Sequence, residues 1–323
     1  MKILYGINGE GLGHLNRSRA VIELLVKEGH QVVIASRQSY LTEFLDDHET
    51  FEIDHIGLHF TCTGRVDVLR LVKDFWNLSY EGISGEYDLV ISDYEPVSAK
   101  YARSNGIRLV TIDNQHRFSR IDPVLPWRLK LSNLAVKIVN RVLIGKADQN
   151  IISCFNPAEG SIPVICDEGT VADDDHVVVY LKDQYIDDFL NCYTPETDTY
   201  VFTSKYPAGS RGKIHFRELD TQRFKCLLRT CKAVVSNCGN QLIGECMYYG
   251  KPYTGIPIIG QSEQEINAFY MEYYGYGKVT SLHPSEFELN LTPPKGQREN
   301  GLHHVAHFIE TLYEKEDTVP DNL

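Results

Sequence analysis

Residues 2–29 read KILYGINGEGLGHLNRSRAVIELLVKEG, and this stretch decides the fold class. Lys2–Ile7 is a short apolar run of strand length. Gly9, Gly11 and Gly13 follow, where missing side chains let the backbone turn sharply and a ligand come close. From Leu15 to Lys27 the apolar residues recur at helical spacing, and Gly29 is a natural stop. Strand, glycine turn and helix make the opening half of a βαβ unit, and Gln31–Ser36 supplies the returning strand.

The same alternation continues outward. Phe51–Ile56, Asp88–Ser92 and Ile107–Ile112 read as strands, with Arg65–Leu78 and Val97–Ser104 as helices. The pattern loosens from Ser153 to His176, so a domain junction is expected near residue 150, with strands at Ile151–Ser153 and Val164–Cys166 beside it. Strands resume at Val177–Leu181, Tyr200–Thr203, Lys213–Phe216, Ala233–Ser236 and Tyr253–Ile256. Helices are expected at Asp220–Arg229, Gln241–Tyr249, Glu263–Tyr274 and, terminally, His303–Tyr313. The prediction is an α/β chain of two Rossmann-like domains, residues 1–150 and 151–323, facing each other across a cleft. The terminal helix has the option of packing back on the first domain. In such sheets ligands bind at the carboxyl ends of the strands.

Composition narrows the partners. A formal charge of −12 argues against general nucleic-acid binding, which uses a basic face. Cys62, Cys154, Cys166, Cys192, Cys226, Cys231, Cys238 and Cys246 form no zinc spacing and read as reduced thiols. No signal-peptide pattern and no run of membrane-spanning length is present, so a cytoplasmic location is expected.

Two details of the glycine loop and the strand after it argue against a nicotinamide site, although Arg37 could meet the 2′-phosphate of NADP. His14 stands where the dinucleotide fingerprint has its third glycine, and the second strand ends at Ser36-Arg37 with no acidic residue for a ribose. A neutral imidazole there can take a proton from a sugar hydroxyl near pH 7. Asp93 and Glu95, after a buried strand, suit either a functional carboxylate or the cap of the next helix, with Pro96 in its first turn. Asp113, Asn114, Gln115 and His116 form a polar cluster at another strand end, suited to acceptor hydroxyls or to a plain turn.

The most informative stretch is Ser236-Asn237-Cys238-Gly239-Asn240-Gln241-Leu242-Ile243-Gly244-Glu245, followed by Gly250-Lys251-Pro252 and Glu263-Gln264-Glu265-Ile266-Asn267-Ala268. A strand ends at Ser236, and a small-residue turn opens a helix whose N-terminus attracts phosphate without lysine or metal. Glu245 lies one turn further, placed for vicinal ribose hydroxyls.

These segments resemble the inverting GT-B glycosyltransferases, the group of UDP-glucuronosyltransferases, plant glucosyltransferases and the peptidoglycan lipid-intermediate N-acetylglucosaminyltransferase. The resemblance implies a donor site of Ser236, Asn237, Gly239, Asn240, Glu245, Glu263 and Gln264. It implies a general base in His14, oriented by Asp93, and an acceptor side at Gly11, Gly13, Glu95, Asn114 and Gln115. Asn237 replaces a common phosphate-binding histidine, and Glu263 the more usual aspartate. Residues 205–218 match in position the loop that holds the base, which implies UDP. No metal and no cofactor is implied, so Asp173-Asp174-Asp175 reads as a solvated acidic turn.

The expected activity is transfer of a sugar from a UDP-sugar to a hydroxyl acceptor, either a glycan or lipid-linked. The alternatives are a UDP-sugar 2-epimerase and a catalytically silent sugar-nucleotide binding subunit. Donor sugar, acceptor and oligomeric state are not encoded in any motif. Trp127–Lys146 carries Arg128, Lys130, Lys137, Arg141 and Lys146 among apolar residues and no acid. That pattern fits a core-packed helix with a solvated basic face, or peripheral contact with the inner face of a membrane.

Overall fold

A computed structural model describes residues 1–9, 12–42, 44, 46–54, 68–119, 124–158, 160–296 and 299–314. Two compact units emerge. The first spans Met1–Asp167 and takes in the stretch that begins at Asn300; the second spans Glu168–Glu299.

The first unit contains β1 (Lys2–Ile7), α1 (Leu12–Lys27), β2 (Gln31–Ser36), α2 (Gln38–Leu41), β3 (Glu49–Glu52), α3 (Val68–Asn77), β4 (Leu89–Asp93) and α4 (Pro96–Asn105). It continues with β5 (Leu109–Asp113), a 3₁₀ turn at Gln115–Ser119, α5 (Trp127–Leu143), β6 (Gln149–Ser153) and β7 (Ser161–Ile162). The strands form one parallel sheet in the order β3-β2-β1-β4-β5-β6-β7. Its strands read as apolar runs because both faces are covered. Ile3, Tyr5 and Ile7 meet Leu15, Val21 and Leu25 of α1 on one side. Leu4, Val33 and Val90 meet Val97 of α4 and Val139 and Leu143 of α5 on the other. Each such fully buried aliphatic side chain contributes about 1.5–3 kcal/mol. At Gly6 the approach of α4 is so close that an added Cβ would lie 2.0 Å from Ser98 Oγ.

The second unit holds β8 (His176–Tyr180), a 3₁₀ turn at Asp183–Tyr185, α6 (Ile186–Cys192), β9 (Asp198–Phe202), β10 (Gly209–Arg211), β11 (Ile214–Arg217) and α7 (Thr221–Thr230). Then come β12 (Ala233–Ser236), α8 (Asn240–Tyr249), β13 (Tyr253–Gly255), α9 (Ser262–Tyr274) and β14 (Lys278–Val279). Its sheet runs β10-β11-β9-β8-β12-β13-β14, parallel except for the β10–β11 hairpin. Val177, Val179, Val201 and Val235 pack on Ile186 and Phe189 of α6.

The first unit runs past the expected boundary at 150, because β6 pairs with β5 and β7 with β6. Val164–Cys166 is not a sheet strand. It pairs instead with the returning chain: Gly301 N donates to Val164 O at 3.1 Å, Cys166 N donates to Asn300 Oδ1 at 3.0 Å, and Asn300 Nδ2 donates to Cys166 O at 2.7 Å. The terminal helix α10 (Leu302–Glu314) then sets Val305 and Ile309 into the first unit's core, against α1. His55 and Ile56 of the third expected strand and Arg65–Asp67 of the following helix lie outside the described residues.

Candidate active site

In the first sheet the chain's winding reverses between β1 and β4, so the loops leaving these neighbours diverge at their carboxyl ends. Both halves of the expected acid–base pair sit there. His14 is in the first turn of α1, and Asp93 ends β4. His14 Nδ1 lies 2.7 Å from Asp93 Oδ1. A carboxylate only accepts, so Nδ1 carries the proton and donates it, which leaves Nε2 as the basic nitrogen. The His14 side chain is 13% exposed, while Asp93 is buried.

Asp93 holds more than the histidine. Arg17 Nε donates to its Oδ2 at 3.0 Å, Arg17 Nη2 to its Oδ1, and Ser18 Oγ to its Oδ2 at 2.9 Å. Arg17 itself is only 2% exposed. Burial pushes the Asp93 carboxyl up, but the Arg17 guanidinium and His14 outweigh it and hold it below the usual carboxylate range. Arg17 Nη2 also lies 3.2 Å from His14 Nδ1; these are two donors converging on one oxygen. Tyr5, beneath them, has its phenol driven far up by burial and by the charge of Asp93.

The turn after Asp93 is unusual. Tyr94 has φ 52°, the only non-glycine in the left-handed region among the described residues, at a cost of about 1–2 kcal/mol. Asn8 Nδ2 holds its carbonyl at 2.8 Å, and its hydroxyl donates to Asn140 Oδ1 at 2.7 Å. Ser92 Oγ accepts from Glu95 N and donates to Glu95 O, each at 2.9 Å. Glu95 caps α4: its carboxylate accepts from Val97 N at 2.7 Å and Ser98 N at 2.5 Å. The capping alternative thus accounts for Glu95.

Gln115 is brought to His14. Its Nε2 lies 3.5 Å from His14 Nε2, and its backbone carbonyl accepts from Asn140 Nδ2 at 2.6 Å. Its Oε1 is buried with no hydrogen-bond partner among the described residues. Asn114 is buried in the same turn. Beside it a second pair forms, His116 Nδ1 to Asp113 Oδ2 at 2.7 Å, with His116 N donating to Asp113 Oδ1 at 2.9 Å. Burial lowers the His116 imidazolium, yet Asp113 outweighs it and the group titrates above the ordinary histidine value. Gly13 opens α1 beside His14, whereas Gly11 lies outside the described residues.

The second sheet repeats the arrangement, with its winding reversed between β8 and β12. Ser236 ends β12 and donates to Tyr180 O. Asn237 staples three strand ends: its Oδ1 accepts from Lys182 N and its Nδ2 donates to Ile256 O, both at 2.8 Å. Tyr253 OH donates to Asn237 O at 2.5 Å, and Asn267 Nδ2 donates to Cys238 O at 2.8 Å. The turn into α8 is therefore fixed in advance. Gly239 caps α8, and an added Cβ would meet nothing within 4 Å, so open space adjoins the helix N-terminus. Asn240 begins the helix. Glu245 lies further along it, buried, accepting from Gln241 Nε2 at 2.9 Å. Glu263 and Gln264 fall in the first turn of α9, and Gln264 Oε1 is buried with no partner among the described residues.

The acidic triplet is engaged elsewhere. Asp173 pairs with Lys251 and Asp175 with Lys232, each at 2.7 Å. Among the described residues no group of three or more histidine, cysteine or acidic side chains is arranged to hold a metal, and no helix is long and apolar enough to cross a membrane.

Two doubly wound parallel sheets, each with polar residues gathered where its winding reverses, define the GT-B glycosyltransferase architecture. The chain belongs to glycosyl transferase family 1, whose model matches residues 1–290. An uncharacterized glycosyltransferase of Methanosarcina mazei is 25% identical, covering 87% of this chain and 86% of the relative. The glycosyltransferase SsfS6 of Streptomyces sp. SF2575 superposes with a TM-score of 0.57 at 14% identity, covering 86% of this chain and 87% of its own. VinC, a glycosyltransferase solved in complex with dTDP, gives 0.54 at 13% identity, covering 99% and 96%. The two structures share the fold. The chain is accordingly a transferase acting with a nucleotide-sugar donor and an acceptor.

Arg17, Ser18, Tyr94 and Asn140 are site residues absent from the sequence reading. One signal was present: His14, Arg17 and Ser18 are spaced i, i+3, i+4 and so share a helix face.

Proposed function

We propose that the chain is an inverting, metal-independent glycosyltransferase that moves a sugar from UDP to a hydroxyl acceptor. His14 Nε2 takes the acceptor proton as the oxygen attacks the anomeric carbon, and the bond to the diphosphate breaks. The departing charge is stabilised by the N-terminus of α8 at Gly239 and Asn240. Glu245 binds the ribose, and Glu263 and Gln264 bind the sugar. The His14–Asp93 contact at the β1/β4 reversal carries this reading, because it gives one imidazole a fixed tautomer and a basic nitrogen. The acceptor is a glycan or a lipid-linked hydroxyl compound. The protein works in the cytoplasm, and residues 127–146 contact its membrane peripherally.

His14→Ala should lower transfer by roughly 10²–10⁴-fold while leaving UDP affinity near the native value. Calorimetry with UDP and dTDP, together with turnover of UDP-sugars against hydroxyl acceptors, tests this; unchanged turnover would remove His14 from the mechanism. The second histidine–aspartate pair, Asp113–His116, adds an acid–base group that a UDP-sugar 2-epimerase would use. Product analysis with UDP-N-acetylglucosamine and no acceptor separates the two reactions.

A further inference from the structure

The chain has two tryptophans, and both are outside the core: Trp76 is 77% exposed and Trp127 is 76% exposed. They lie on α3 and α5, which pack against each other. The inward side of α5 is complete without Trp127, since Leu129, Val139, Asn140 and Leu143 are buried there. Its outward side carries a second apolar stripe. Trp127, Leu134 and Ile138 fall within roughly 40° of arc at 3.6 residues per turn, and Leu134 and Ile138 are 50% and 52% exposed. Exposed Arg128, Lys137 and Arg141 flank this stripe. An ordinary solvated helix face has the cations without the stripe.

We propose that this face of α5 docks on an anionic lipid surface, with Trp127, Leu134 and Ile138 entering the headgroup boundary and Arg128, Lys137 and Arg141 meeting lipid phosphates. Tryptophan prefers that boundary because its ring is apolar and its N–H is polar. Charge selects the occupant. Residues 127–146 contain five cations and no acid in a chain of net charge −12, so a negative bilayer attracts this face against the net repulsion of the chain. A second copy docked through the same face would oppose cation to cation. This specifies the membrane contact of the transferase reading, yet none of its tests includes a transfer step, so either can fail alone.

The full chain with Trp76→Phe leaves Trp127 as the sole indole reporter. Its emission should shift to the blue, and the protein should sediment with vesicles, when phosphatidylcholine is mixed equally with phosphatidylglycerol; phosphatidylcholine alone should do neither. Lys137→Glu with Arg141→Glu should weaken binding by at least roughly 20-fold. Leu134→Gln with Ile138→Gln should abolish the shift while leaving circular dichroism and melting unchanged. No shift on mixed vesicles, or an equal shift on neutral ones, would overturn the proposal. So would a dimer in solution that Ile138→Glu dissociates, which would assign the stripe to a second copy.

Discussion

Replacing Asp93 by asparagine is the sharpest test of how the cluster at the β1/β4 reversal is held. The carboxylate is buried and accepts two hydrogen bonds from Arg17, one from Ser18 and one from His14. An amide of the same size keeps the volume but removes the charge, so the buried Arg17 loses its counter-ion. Breaking a buried pair on one side costs about 3–5 kcal/mol. At about 2–4 °C per kcal/mol, melting at pH 7 should fall by roughly 6–20 °C. The pH dependence has a definite sign. Because the folded carboxyl is held below the ordinary value, its contribution is full above about pH 4 and is lost as pH falls through the lower folded value. The variant has no such contribution to lose, so the gap between the two proteins should narrow on acidification below about pH 4. Thermal melts followed by circular dichroism across pH 2–8 measure this. A variant within about 0.5 kcal/mol of native at pH 7 would refute the reasoning, since that is the scale of ordinary surface changes. A gap that persists unchanged into acid would refute it as well.

Two further outcomes concern the frame around the site. Gly301→Ala places a Cβ 2.0 Å from the Pro163 carbonyl oxygen, and neither backbone can rotate aside; urea titration should show a loss of about 1–3 kcal/mol. Glu95→Ala removes the acceptor for Val97 N and Ser98 N and should cost about 1–2 kcal/mol by the same measurement, with nucleotide affinity retained in calorimetry.

Much of the fold could be read from local pattern. The glycines after Ile7, the helical repeat from Leu15 and the apolar strands at 88–92 and 233–236 each declare themselves within a dozen residues. Features made by distant partners could not. Val164–Cys166 has a strand's composition, but Asn300, far along the chain, takes its hydrogen bonds. Helix α6, Ile-Asp-Asp-Phe-Leu-Asn-Cys, is too short and polar for its period to show. At the site, His14 stood out because a glycine loop delivers it. Nothing local marks Arg17 as buried, and it becomes a buried counter-ion only when Asp93 arrives from β4. Tyr94 shows nothing in sequence of its left-handed backbone, nor Asn140 of its double grip on Tyr94 and Gln115.

The pairing of Cys166 with Asn300 has a topological consequence. The chain departs from the first unit and rejoins it at adjacent points, so residues 168–299 form an insertion with its two ends side by side. The host sheet and its closing helix α10 are contiguous in space though split in the gene. The exit at Asp167 and the return at Asn300 are close enough for a short bridge to span. The half that carries the α8 turn is, in genetic terms, an insertion into the other, and among the described residues no strand pairing of the first sheet draws on it.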